Sequence, residues 1–124
     1  MTSTDFARAL VASLTPALPP GFAARVEGDV IRLETPDGLG ASTSFAYLDP
    51  EEANAEDYAD AAWNVLSMAQ DVVSETATEP WPAAIGPGLD LPEPGTRVEG
   101  QTVHLYFGTE EQPVLTLAPI QLDP

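Results

Sequence analysis

There is no cysteine in this chain, no lysine, and a single histidine, His104. Without thiols it can form no disulfide, thiolate nucleophile or cysteine metal site, which fits a reducing compartment and predicts a cytoplasmic location. Four arginines are the only cationic side chains besides His104, set against twenty acidic residues for a net charge of −16. A surface of that sign disfavours DNA, RNA and anionic lipid. The partner it predicts is a protein, a basic one fitting best. Long apolar runs are also missing, for none reaches the ~18 residues of a membrane helix. The opening MTSTDFAR lacks a basic leader and carries Asp5, so the apolar residues that follow read as a helix face rather than a signal peptide.

Recognisable catalytic constellations are equally scarce. Serine-protease-type chemistry would have to use His104, and spacing identifies no nucleophile beside it. The acidic run DPEEANAEDYAD, Asp49 to Asp60, lacks the glycine-centred spacing of a calcium loop and reads as a helix start with a solvated face. Among so many acids, no carboxylate pair is singled out for hydrolytic work. No cofactor and no metal is predicted, and the chain reads as non-enzymatic.

What is present is repetition. RVEG occurs at Arg25 to Gly28 and again at Arg97 to Gly100, with a Leu-Pro and Pro-Gly stretch before each copy. Ile31-Arg32-Leu33 follows the first and Val103-His104-Leu105 the second, and Leu-Asp-Pro closes both, at 48–50 and 122–124. Glycine followed by a polar residue between alternating runs is hairpin chemistry, because glycine accepts the positive φ of a two-residue turn. The register follows: Val26 opposite Ile31 and Ala24 opposite Leu33 on an apolar side, Arg25 opposite Arg32 on a polar one. In the second copy Val98 faces Val103, Thr96 faces Leu105, Arg97 faces His104 and Glu99 faces Thr102. Arg25, Arg32, Arg97 and His104 are thereby expected on one sheet face. Repulsion between them requires interleaved carboxylates such as Glu27, Glu34 and Glu99. The face is either a solvated ion-pair surface or a recognition surface for a carboxylate-bearing partner.

The remaining elements fill one domain over 1–124 with pseudo-repeats 3–50 and 51–124. A helix is predicted from Ser3 to about Leu14, capped by Ser or Thr, with Phe6, Leu10 and Leu14 on one side. After the turn Thr35-Pro36-Asp37-Gly38, a third strand is expected from Ala41 to Leu48. A longer helix is expected to start at the cap Asp49, with Ala55, Ala59, Ala62, Leu66, Ala69 and Val73 as its packing stripe, widened by Tyr58, Val65 and Val72. The loop 79–95, EPWPAAIGPGLDLPEPG, holds five prolines and three glycines. Within it Trp81 either plugs the core or serves, with Ile85, Leu89 and Leu91, as an anchor for a partner. A very short strand should open the second set of three. The last strand, Pro113 to Leu122, contains Pro119, which belongs at an edge or a bulge.

The expected fold is therefore α+β: an antiparallel sheet of five or six strands with two helices packed on one face. This element order resembles that of type III secretion chaperones and related small chaperone-like domains. The apparent duplication and the extra final strand depart from that pattern. The resemblance implies a protein-binding adaptor or chaperone for a specific client, with a homodimer as the typical assembly. Acidic composition alone supports another reading, an immunity or inhibitor protein that neutralises a basic toxin or nuclease.

Overall fold

Thr2 accepts a hydrogen bond from the Asp5 amide at 3.0 Å and so caps α1, Ser3–Leu14. Its inward stripe is Phe6, Ala7, Leu10 and Leu14, all at or near zero exposure. The computed structural model describes residues 1–79, 81–82 and 91–122. After a short helical turn, Thr15–Ala17, come β1 (Ala23–Glu27), β2 (Val30–Glu34) and β3 (Gly40–Ser44). Then follow α2 (Ala55–Ala77), β4 (Pro94–Glu99), β5 (Thr102–Gly108) and β6 (Pro113–Gln121).

Both hairpins adopt the expected register, residue for residue: Arg25 opposite Arg32 and Val26 opposite Ile31, then Arg97 opposite His104 and Val98 opposite Val103. The cause is local. Gly28 and Gly100 sit at φ +65° and +62°, and a positive φ at the first turn position fixes which residues meet across the ribbon. Period-two alternation then decides what is buried: Ile31 and Leu33 on β2, and Val103, Leu105 and Phe107 on β5.

Among the described residues the strands do not join into one sheet. They form two three-stranded antiparallel sheets, β1-β2-β3 and β4-β5-β6. A continuous sheet would need an edge of the first to pair with β4 or β6. β4 opens on a proline, and β6 carries Pro119 where Val103↔Ile120 shifts to Leu105↔Leu117. That shift sets Ala118 and Pro119 against the single residue His104, a bulge on an edge strand, so both expectations for Pro119 hold together. Ser13 on α1 donates to the carbonyl of Ala118 at 2.8 Å and satisfies the group that the bulge frees.

Nor do both helices lie on one face of one sheet. Helix α1 packs against β1 and β2 and also against β6; α2 packs against β4 and β5 and also against β3. Each helix bridges the two sheets, and one contiguous apolar cluster takes in residues of both helices and both sheets, from Phe6 and Phe45 to Phe107 and Ile120. Phe6 meets Phe45 and Tyr58 edge-on, with centroids 5.7 and 4.9 Å away.

Three boundaries differ from the sequence expectation. The third strand stops at Ser44 instead of Leu48, because Leu48 donates to the carbonyl of Phe45 and turns the chain. Helix α2 begins at Ala55 and not after Asp49. Asp49 accepts from the Glu51 amide and closes a turn, whereas Asn54 and Asp57 exchange side-chain-to-backbone bonds of 3.0 and 2.9 Å in a capping box. A reciprocal cap satisfies two amides where Asp49 could satisfy one. β4, expected to be very short, spans six residues against five in β1. The helix stripe itself is as expected, with Ala59, Ala62, Leu66, Ala69 and Val73 buried and Ala55 half-buried at its start.

Candidate functional site

The hairpin cations do not share a face, since they sit on two sheets. On the outer side of the first, Arg25 pairs with Glu34 and with Glu27 at 3.6 Å, and Arg32 approaches Glu27 at 3.8 Å. On the second, Arg97 holds Glu99 at 2.9 Å and Glu110 at 3.0 Å, and His104 Nε2 lies 3.3 Å from Glu99. The interleaved carboxylates are the ones expected, joined by Glu110. Hydrogen bonding from Arg97, then its charge, then His104 hold the Glu99 carboxyl below its usual range. The cations of each cluster are thus met by at least as many carboxylates, and such exposed pairs attract a further anion weakly.

Trp81 is half-buried, its ring edge-on to Phe107 at a centroid distance of 5.4 Å. Ser74 on α2 pins it, accepting from the Trp81 amide at 3.0 Å and donating to its carbonyl at 3.3 Å. The side chain packs against the core cluster. Leu91 is exposed. Ile85 and Leu89, most of the 79–95 loop, and the Asp123 and Pro124 of the closing Leu-Asp-Pro lie outside the described residues.

The feature that the sequence reading passed over is an open groove of about 490 Å³ where β3 runs into α2. Its lining includes Tyr47, Asp49, Glu52, Asp57, Asp60 and Asn64, and no arginine or histidine. Asp49 and Asp57 are engaged in the turn and the cap described above. The side-chain carboxylates of Glu52 and Asp60 have no hydrogen-bond or ion-pair partner among the described residues, so no contact there requires their charge. Tyr47 stands beside them 64% exposed. The acidic field reaches inward: burial first, then the charges of Asp49 and Asp57, push the Tyr58 hydroxyl above its ordinary 10.0. In sequence this run looked like a helix start. The available signal was an aromatic residue two positions before it, at Tyr47.

Among the described residues, no group of three or more histidines and carboxylates converges on a point that could hold a metal ion. No described helix is long and apolar enough to cross a membrane. No protein-family model matches this chain, nor does any curated protein or solved structure.

Proposed function

We propose that this protein is a non-enzymatic binding module that captures a basic segment of a partner protein, serving as an adaptor or chaperone for a specific client. The groove carries the reading: four carboxylates and an exposed tyrosine around about 490 Å³, with no cation in its lining. Tyrosine supplies rigid contact area with a polar tip, and the carboxylates supply steering and register for lysine and arginine. The arginine clusters support the same direction by default, because their charges are already met by glutamates. The order helix, three strands, helix, three strands, on which the resemblance to small chaperone-like domains rests, is retained though its strands form two sheets, and the lack of cysteine fits a cytoplasmic location.

The net charge of −16 favours a second reading, an immunity or inhibitor protein that covers a basic toxin or nuclease. The identity of the partner separates the two. Affinity capture from the native cell with mass spectrometry should return a secreted effector in the first case and a toxic enzyme in the second. With the partner in hand, association should slow steeply as salt rises past about 0.1 M, where the screening length falls below about 10 Å. Glu52→Gln with Asp60→Asn should weaken binding by about tenfold, or ~1.4 kcal/mol. Association indifferent to salt and to this double variant would mean an apolar interface and would remove the reading.

A further inference from the structure

Two open three-stranded sheets leave four edges, and an edge strand presents unpaired backbone groups that invite another strand unless something blunts it. Three of the four are blunted. β6 holds Pro113, Pro119 and a bulge whose freed carbonyl is taken by Ser13. β4 opens on Pro94, lies along α2, and is tied to it by Trp63 Nε1 donating to the Pro94 carbonyl at 2.9 Å. β1 carries the charges Arg25 and Glu27, which discourage an added strand.

β3 is different. Its sequence GASTS has no proline, charge or bulky side chain, and its pairing with β2 is regular throughout. The register shows which groups are free. Phe45 donates to the Asp29 carbonyl and Thr35 to the Leu39 carbonyl, so the odd-numbered residues of this strand bond to β2. The amides and carbonyls of Gly40, Ser42 and Ser44 therefore point away from the sheet. These three residues are exposed, and among the described residues no backbone bond from outside the sheet reaches them. Apolar surface marks both ends, with Leu39 72% exposed before the strand and Tyr47 64% exposed after it.

We infer that β3 is the docking edge for an extended segment of the partner, which adds a fourth strand to the first sheet. This rests on the acidic-groove reading and specifies how the basic segment is held. Backbone bonds to Ser42 and Ser44 give the affinity, and the side chains give the selectivity. Charge chooses the occupant. Tyr47, Leu48 and Asp49 line the groove and follow Ser44 almost at once, so the end of an added strand that lies beside Ser44 runs into Glu52 and Asp60. That end carries lysine or arginine. A second copy of this chain would instead bring another charge of −16 to the same place.

The test uses the whole chain and synthetic peptides of alternating valine and threonine, ended by lysines or by glutamates, with amide hydrogen exchange followed residue by residue. The lysine-ended peptide should slow exchange at Ser42 and Ser44 by about tenfold or more while changing Ala41 and Thr43, already bonded to β2, much less. Ser42→Pro removes an outward amide that the fold does not use, so the variant should melt near the parent and lose the peptide. If that variant fails to fold, the exchange pattern of the parent alone decides. Peptide-induced shifts at Glu52 and Asp60 without slowed exchange at Ser42 and Ser44 would overturn docking at β3 and leave the acidic groove standing. Equal protection by the glutamate-ended peptide would overturn the basic occupant. Protection that appears in concentrated protein alone and vanishes in Ser42→Pro would assign the edge to a second copy. No binding by either peptide would defeat both this inference and the groove reading.

Discussion

Gly28 and Gly100 are placed where nothing stands within 4 Å of the position a Cβ would occupy, yet each has a positive φ that side-chain-bearing residues rarely adopt. The cost of replacing them is therefore backbone strain without steric collision. Gly28→Val or Gly100→Val should each lower stability by about 1 to 3 kcal/mol, read by urea or thermal melts. A parental melt would remove the positive-φ argument for the turn. Trp81 poses the opposite case, a side chain whose surroundings decide its role. Half-buried, set edge-on to Phe107 and pinned at its backbone by Ser74, it belongs to the core margin. Truncation to alanine should cost about 2 to 3 kcal/mol, somewhat less than a fully buried indole. Binding to a basic partner should be unchanged in Trp81→Ala at temperatures where it is folded; loss of affinity with a parental melt would restore the anchor reading.

Elements divide into those dictated locally and those settled by tertiary contact. The helix boundary at residue 54 tests the first kind: Asn54→Ala removes one half of a reciprocal cap and should cost about 1 kcal/mol in a thermal melt. Local signals were legible in the sequence. The Gly-Asp and Gly-Gln turns told the pairing of Arg25 with Arg32 and of Arg97 with His104, and helical spacing told the buried stripe from Ala59 to Val73. The start of α2 was expected at Asp49, and it lies at Asn54 because the partner at Asp57 completes a reciprocal cap there. The sheet count was not legible, because whether two edges meet depends on what else packs there. A helix between β1 and β6 leaves no signature in the period of either strand. The groove was hidden for a similar reason, since Tyr47 and Asp60 are neighbours only once the chain turns at Leu48.

At the scale of the molecule, charge and topology act separately. Acidic residues far outnumber basic ones, and the few cations are spent within their own sheets apart from Arg8, which forms no ion pair among the described residues. Topology has the larger effect on how the chain behaves. Because α1 packs against β6 from the far end of the sequence as well as against β1 and β2, and α2 reaches β3 in the near half as well as β4 and β5, each half leaves part of its helix uncovered when alone. Severed between Pro50 and Glu51, the two fragments should each give featureless melts in circular dichroism. Mixed in equal amounts, they should regain helix and unfold in a single sigmoid, as non-covalent complementation requires. A fragment that melts cooperatively alone would show that the crossed packing is dispensable. The same interdependence keeps a nascent chain from completing its first half before the last strand has emerged, so folding waits on the closing residues of β6.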